Sequence, residues 1–188
     1  MIQGKILYMQ INRERHDLNK MAGFLYENGV REMVEVGSFY GVSTEIFRDA
    51  GITVHSVDPY ESGYDKDDGA SDQKVLENAY SYFTENVLDN KTIFHTRKKS
   101  SDAIGDFETN SLDFVYIDAN HKYDSVVEDI KLWLPKVKKG MFFGGDDYPR
   151  IDASSGKTDV QNAVKDTLGE PYKMFHHGHW LFKINNEI

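Results

Sequence analysis

The 188 residues, 39% hydrophobic and 13% aromatic, suffice for one buried core and are too few for two comfortable ones. No apolar run approaches the roughly 20 residues that cross a bilayer, "MIQGKILYMQINRER" is too interrupted for a secretory signal, and the lack of cysteine excludes disulfides, thiolate catalysis and cysteine-based zinc sites. A net charge of −9 repels polyanions on average, so a small-molecule partner is expected rather than nucleic acid, the densest basic run being only Arg97-Lys98-Lys99.

Strand-like and helix-like segments alternate along the chain, with no repeat or linker to divide it. One domain over 1–188 is therefore expected, with 1–30 as an N-terminal helical segment. Leu18, Met21, Ala22, Leu25 and Tyr26 fall at helical spacing, and Asn28-Gly29 supplies a stop. "EMVEVG" predicts the first strand, followed by a helix from Ser43 to Ala50, and "ITVHSVD" predicts the second. Val75, Leu76, Ala79, Tyr80, Phe83 and Val87 mark a long amphipathic helix before the strand "KTIFHT". A short helix over Ser101–Phe107 leads into "SLDFVYID", and Tyr123–Leu134 form a further helix that Pro135 ends. "GMFFGG" predicts the fifth strand, Asp159–Leu168 a last helix, and "PYKMFH" with "HWLFKI" a hairpin through "HGH". Alternation of this kind, with apolar strands, predicts an α/β fold: a doubly wound, mostly parallel seven-stranded sheet with a C-terminal antiparallel hairpin.

Ligands of such sheets bind outside the carboxyl ends of the strands, where Glu35, Asp58, Asp118 and the pair Asp146-Asp147 all fall. "VEVGSFYGVST" brackets a strand-to-helix turn with Gly37 and Gly41. It lacks the middle glycine of a pyrophosphate turn and the lysine of a phosphate loop, and Glu35 before it suits a cationic amine better than a diphosphate. Asp58, 21 residues after Gly37, is spaced to receive two ribose hydroxyls. The two glycines also read simply as shaping a sharp turn.

Together these residues resemble motifs I and II of class I S-adenosylmethionine-dependent methyltransferases, over about His16 to Lys183. The resemblance implies a Rossmann-like methyltransferase fold. It places Glu35, Gly37, Ser38, Tyr40, Gly41 and Ser43 around the methionine part of the cofactor and Asp58 on the ribose. "KKSSDAI" matches the purine-side loop, which assigns Ser100, Ser101 or Asp102 to the adenine, although Lys98 stands where a glycine is common.

"YIDANHKYDSVVEDIKLWLPKVKKGMFFGGDDY" resembles a branch that methylates sugar hydroxyls of macrolide and aminocoumarin antibiotics with a divalent metal. The matching metal ligands are Asp118, Asp146 and Asp147, and the matching general base is His121; Asp118 also borders the cofactor. Three carboxylates make a hard cup suited to Mg²⁺, with Mn²⁺ or Ca²⁺ as alternatives, and a bound cation would relieve the repulsion of adjacent acids. An imidazole titrates where a neutral-pH base is needed. The bland alternatives are a solvated turn at Asp146-Asp147 and a helix-start role for His121. His176, His177 and His179 form a weaker candidate for a second metal.

The implied function is a Mg-dependent, cytoplasmic O-methyltransferase acting on a hydroxyl of a small molecule, a sugar or a vicinal diol such as a catechol. Its rivals are a metal-independent methyltransferase, an inactive cofactor-binding module and a nicotinamide oxidoreductase, the last disfavoured by the first loop. Neither membrane nor nucleic-acid partners are expected, and homo-oligomerisation stays open. Residues 60–72 and "YPRIDASSGKTD" are candidates to cover the pocket.

Overall fold

The computed structural model describes residues 2–64, 69–149 and 158–185. Seven helices and strands precede the central strand of the sheet: α1 (Ile2–Glu27), β1 (Glu32–Val36), α2 (Val42–Asp49), β2 (Thr53–Val57), α3 (Gln73–Tyr82), β3 (Ile93–Thr96) and α4 (Ser100–Ala103). β4 (Leu112–Ile117), α5 (Tyr123–Trp133), β5 (Val137–Gly145), α6 (Asp159–Leu168), β6 (Lys173–Met174) and β7 (Trp180–Lys183) follow. The strands form one seven-stranded sheet in the order β3-β2-β1-β4-β5-β7-β6. β1 pairs in parallel with both β2 and β4, β4 pairs in parallel with β5, and β7 runs antiparallel between β5 and β6. This is the doubly wound, mostly parallel sheet with an antiparallel end that the alternation predicts.

Every residue of β4 is buried because both faces of the strand are covered. Phe114 and Tyr116 pack with Leu18, Met21, Leu25, Ile46 and Phe47 of α1 and α2 on one face. Val115 and Ile117 pack with Val126, Ile130 and Trp133 of α5 and Val160 and Val164 of α6 on the other. A third cluster under α3 joins Tyr60, Leu76, Phe83, Val87 and Ile93.

α1 runs from Ile2 to Glu27, within the helical segment expected over 1–30, and Leu18, Met21, Ala22 and Leu25 of its later turns pack on the sheet. Other boundaries differ from expectation where polar residues hide the element. The α3 helix closes at Tyr82 and continues as a π turn through Phe83–Val87. β5 starts at Val137, before Gly140, because Lys138, Lys139 and Gly140 are exposed and carry no strand-like alternation. The hairpin strand β6 is only two residues long, and a 3₁₀ turn at His176–Gly178 connects it to β7. No helix among the described residues is long and apolar enough to cross a membrane.

Candidate active site

The carboxyl ends of β1, β2, β4 and β5 border a cavity of about 880 Å³. At its β1 end the backbone sets the shape. Gly37 has φ 89°, and a Cβ there would lie 2.1 Å from the carbonyl oxygen of Asp118, so the turn and the end of β4 can approach only with glycine. Asp58 Oδ2 accepts from the amides of Ser38 and Phe39, each at 3.0 Å, and Oδ1 accepts from the Tyr60 amide at 2.8 Å. The expected ribose acid thus ties the first loop to the second. Beneath it, Ser56 Oγ donates to Ser38 Oγ at 2.7 Å, Tyr60 OH lies 3.2 Å from Ser38 Oγ, and Tyr60 OH donates to the Phe39 carbonyl at 2.7 Å.

Among the expected cofactor residues, Gly37, Ser38, Tyr40, Ser43, Asp58, Ser100, Ser101 and Asp118 border the cavity. Glu35, Gly41 and Asp102 do not. Glu35 is fully buried behind the turn, where Thr44 donates to Oε2 and Oε1 makes no hydrogen bond of good geometry. Burial pushes its carboxyl up to about 8; nearby Asp118 and Asp58 add to the rise, while the Ser43 and Thr44 hydroxyls oppose it. Glu35 is therefore largely protonated at neutral pH. Gly41 caps α2 and packs on Phe83 and Val87, and Asp102 is exposed on α4.

At the opposite end side chains set the shape. The β4–β5 register pairs Ile117 with Gly145, which brings Asp118 beside Asp146 and Asp147. Gly145 permits this packing, since a Cβ there would lie 2.4 Å from the Ile117 carbonyl and 2.7 Å from the Trp180 ring. His121 Nε2 lies 3.0 Å from Asp147 Oδ2 and 3.6 Å from Asp118 Oδ1. These three groups present ligand atoms within 4.8 Å of one another. Burial disfavours the imidazolium, but hydrogen bonds to Asp118 and Asp147 outweigh that and hold His121 at about 9. Burial also raises Asp118 and is opposed by His121.

Asp146 turns elsewhere. Its Oδ1 is 2.9 Å from Nδ1 of His179, a buried residue whose Nδ1 is also 3.0 Å from Tyr116 OH. The adjacent carboxylates thus face two different imidazoles. His177 lies 3.4 Å from Asp17 of α1, so the histidines of "HHGH" divide between separate partners. The sequence reading missed His179 as a partner of Asp146. Its signal is the β5–β7 register, where Gly145 opposite Trp180 puts 146 opposite 179.

The remaining wall holds a second overlooked residue. Asp129 borders the cavity from α5 and accepts a hydrogen bond from the Ser100 hydroxyl, which in turn accepts from Trp133 Nε1 at 2.7 Å. A lone acid on the stripe Val126, Asp129, Ile130 and Trp133 was the available signal. Lys98, at the unusual loop position, pairs with Asp106 at 2.7 Å. Of the candidate covers, Ser62, Gly63, Tyr64 and Ala70 border the cavity and Asn120 Nδ2 donates to the Tyr64 carbonyl at 3.4 Å. Residues 65–68 and 150–157 lie outside the described residues.

A family model described as a methyltransferase domain matches residues 34–148, which is 115 of the 188 residues. The chain belongs to that family. No curated protein matches it by sequence. Among solved structures, the O-methyltransferase NovP superposes with a TM-score of 0.64 at 17% identity, covering 92% of this chain and 80% of NovP. TomG, an O-methyltransferase from Streptomyces achromogenes involved in tomaymycin synthesis and solved with SAM, gives 0.60 at 16% identity over 93% and 80% of the two chains. An O-methyltransferase from Bacillus cereus in complex with SAH gives 0.56 at 20% identity over 81% and 66%. These likenesses establish the methyltransferase fold.

Proposed function

We propose that this protein is an S-adenosylmethionine-dependent O-methyltransferase that acts, with a divalent cation such as Mg²⁺, on a hydroxyl of a small molecule, either a sugar or a vicinal diol of catechol type. The observation that carries this reading is the convergence of Asp118, His121 and Asp147, the first two bordering a cavity that is also bordered by the Gly37 turn and Asp58.

The residues fit both groups. A glycine-built turn with no room for a Cβ, a ribose-type acid and a cavity bordered by Asp58, Asp118, Asp129 and Asp146 suit a cationic nucleoside. When bound, S-adenosylmethionine supplies a methyl group on a positively charged sulfur that an oxygen nucleophile can displace. Gly37, Ser38 and Asp58 would hold its amino-acid and ribose parts, with Ser101 beside the purine. Two carboxylates with a third next to them form an oxygen-rich donor set fit for a hard cation. A divalent cation there supplies charge that favours loss of a nearby hydroxyl proton.

Asp118, Asp146 and Asp147 would hold the cation. His121, which Asp118 and Asp147 raise to about 9, would be freed of its proton where a bound cation offsets those carboxylates, and the imidazole would then take up the acceptor's hydroxyl proton. Leu18, Ile46 and Tyr116 wall the cavity and exclude water around the acceptor. Glu35, neutral behind the turn, adds no further negative charge to the methyl donor's surroundings.

The pairing of His121 with Asp147 and His179 with Asp146 favours one alternative, a metal-independent methyltransferase in which imidazoles already offset the carboxylates. Methyl transfer from S-adenosylmethionine to a panel of vicinal diols separates the two. On the metal reading, turnover is lost in EDTA, returns with Mg²⁺ or Mn²⁺, and falls about 100-fold in Asp147→Ala. Full turnover after rigorous metal removal would establish the alternative.

A further inference from the structure

Asp129 has no role in the chemistry above, yet it borders the same cavity and is only 6% exposed. A carboxylate among Val126, Ile130 and Trp133 is costly unless donors reach it. One donor is fixed in direction. The Trp133 indole can only donate, and it donates to Ser100 Oγ, so Ser100 turns its own hydrogen to Asp129 Oδ1. This chain locks the carboxylate and commits the hydroxyl of Ser100, leaving that residue no hydrogen to offer a ligand. Oδ2 receives no hydrogen bond from the described residues. Burial, opposed by Ser100, raises the carboxyl to about 6, so at neutral pH it remains mostly an anionic acceptor.

Resting on the reading that S-adenosylmethionine occupies this cavity with its purine beside Ser100 and Ser101, we propose that Asp129 Oδ2 accepts a hydrogen bond from the exocyclic amine of adenine and so selects adenine over a 6-oxopurine. A 6-oxopurine places a carbonyl oxygen where adenine has the amine, setting two acceptors against each other. Sites built around a hydrogen bond reject the analogue that leaves a buried polar group unpaired. Ser101, Ser125 and Glu128 complete this part of the wall.

The test is a calorimetric titration of S-adenosylhomocysteine and S-inosylhomocysteine into the wild type and Asp129→Asn. The wild type is expected to bind the adenine compound about tenfold or more tightly than the hypoxanthine one. In Asp129→Asn the Ser100 hydrogen still requires an acceptor, so the amide oxygen meets Ser100 and the NH₂ faces the purine. The adenine preference then disappears or inverts. An unchanged preference in that variant overturns the assignment. A measurement on the wild type alone covers the case in which the variant does not fold: the N6,N6-dimethyl analogue of S-adenosylhomocysteine, which lacks both donor hydrogens, is expected to bind more weakly. Equal binding of that analogue overturns the assignment as well. Tight S-adenosylhomocysteine binding without purine discrimination sinks this inference alone, whereas no binding by the wild type sinks the cofactor reading beneath it.

Discussion

At the β1–β2 end of the cavity, the surface is made of backbone held in place by one carboxylate: three amides converge on Asp58, and the Gly37 turn presses against the Asp118 carbonyl. At the β4–β5 end it is made of charged side chains that choose among neighbours, with Asp147 and Asp118 facing His121 and Asp146 facing His179. The first arrangement has its hydrogen bonds satisfied before any ligand arrives. The second holds like charges in proximity beside imidazoles, so its geometry depends on protonation. A rigid backbone cradle and a responsive charged cluster are different physical solutions within one cavity.

The sharpest way to break this contrast is at Gly37. In Gly37→Ala, the left-handed φ and the 2.1 Å approach to Asp118 both resist the new methyl group. A loss of about 3 kcal/mol in urea unfolding is expected, from backbone strain plus the clash. Binding of S-adenosylhomocysteine should fall below calorimetric detection in the folded fraction. A variant of wild-type stability and affinity would mean that the turn is not the rigid half of the site.

What could be read from the chain follows the same division. β4, and β1 after Glu32, are buried on both faces and therefore appear as largely apolar runs, and a parallel sheet necessarily gathers Asp58, Asp118 and Asp146 at one end. Gly37 was legible because a covalent constraint on φ leaves few other residues. The partners of the acids were not legible. Whether Asp146 meets His121 or His179 is decided by how β7 inserts beside β5, a contact between segments 33 positions apart. Asp129 was missed for another reason: a helix stripe was read for its apolar members, although the acid among them carries the chemistry.

Glu35 sharpens the comparison next, since it lies behind the rigid end yet carries a perturbed charge. Its folded carboxyl is raised from the ordinary 4.5 to about 8, so the native state holds the proton more tightly than the unfolded chain does. The associated stability is complete below the unfolded value and is lost as pH rises through the folded one, at up to about 1.4 kcal/mol per pH unit. Glu35→Gln removes the titration while keeping shape. Urea unfolding of the cofactor-free protein from pH 5 to 9 should therefore decline for the wild type and stay flatter for the variant. Parallel curves would show that Glu35 is solvated or differently paired.

Asp113 supplies the smallest effect and the control, because it sits at the other end of β4 from the cavity. Its Oδ2 accepts from the amides of Arg31 and Glu32 at 2.9 and 3.1 Å, and Oδ1 accepts from Lys138 Nζ at 2.8 Å. Burial works against its charge, but Lys138 and the two amides outweigh it and hold the carboxyl below its usual range. Its stabilisation is thus present above the ordinary carboxylate pKa and lost as pH falls through the lowered value. Lys138 is nearly half exposed, so the ion pair itself contributes little and the amide bonds carry most of the effect. Asp113→Asn should cost about 1 kcal/mol at pH 7 and less at pH 3, with S-adenosylhomocysteine affinity unchanged. A change in affinity would mean that the strand starts and the cavity are mechanically coupled, and that the rigidity of the β1 end is imposed along whole strands rather than built by Gly37 and Asp58.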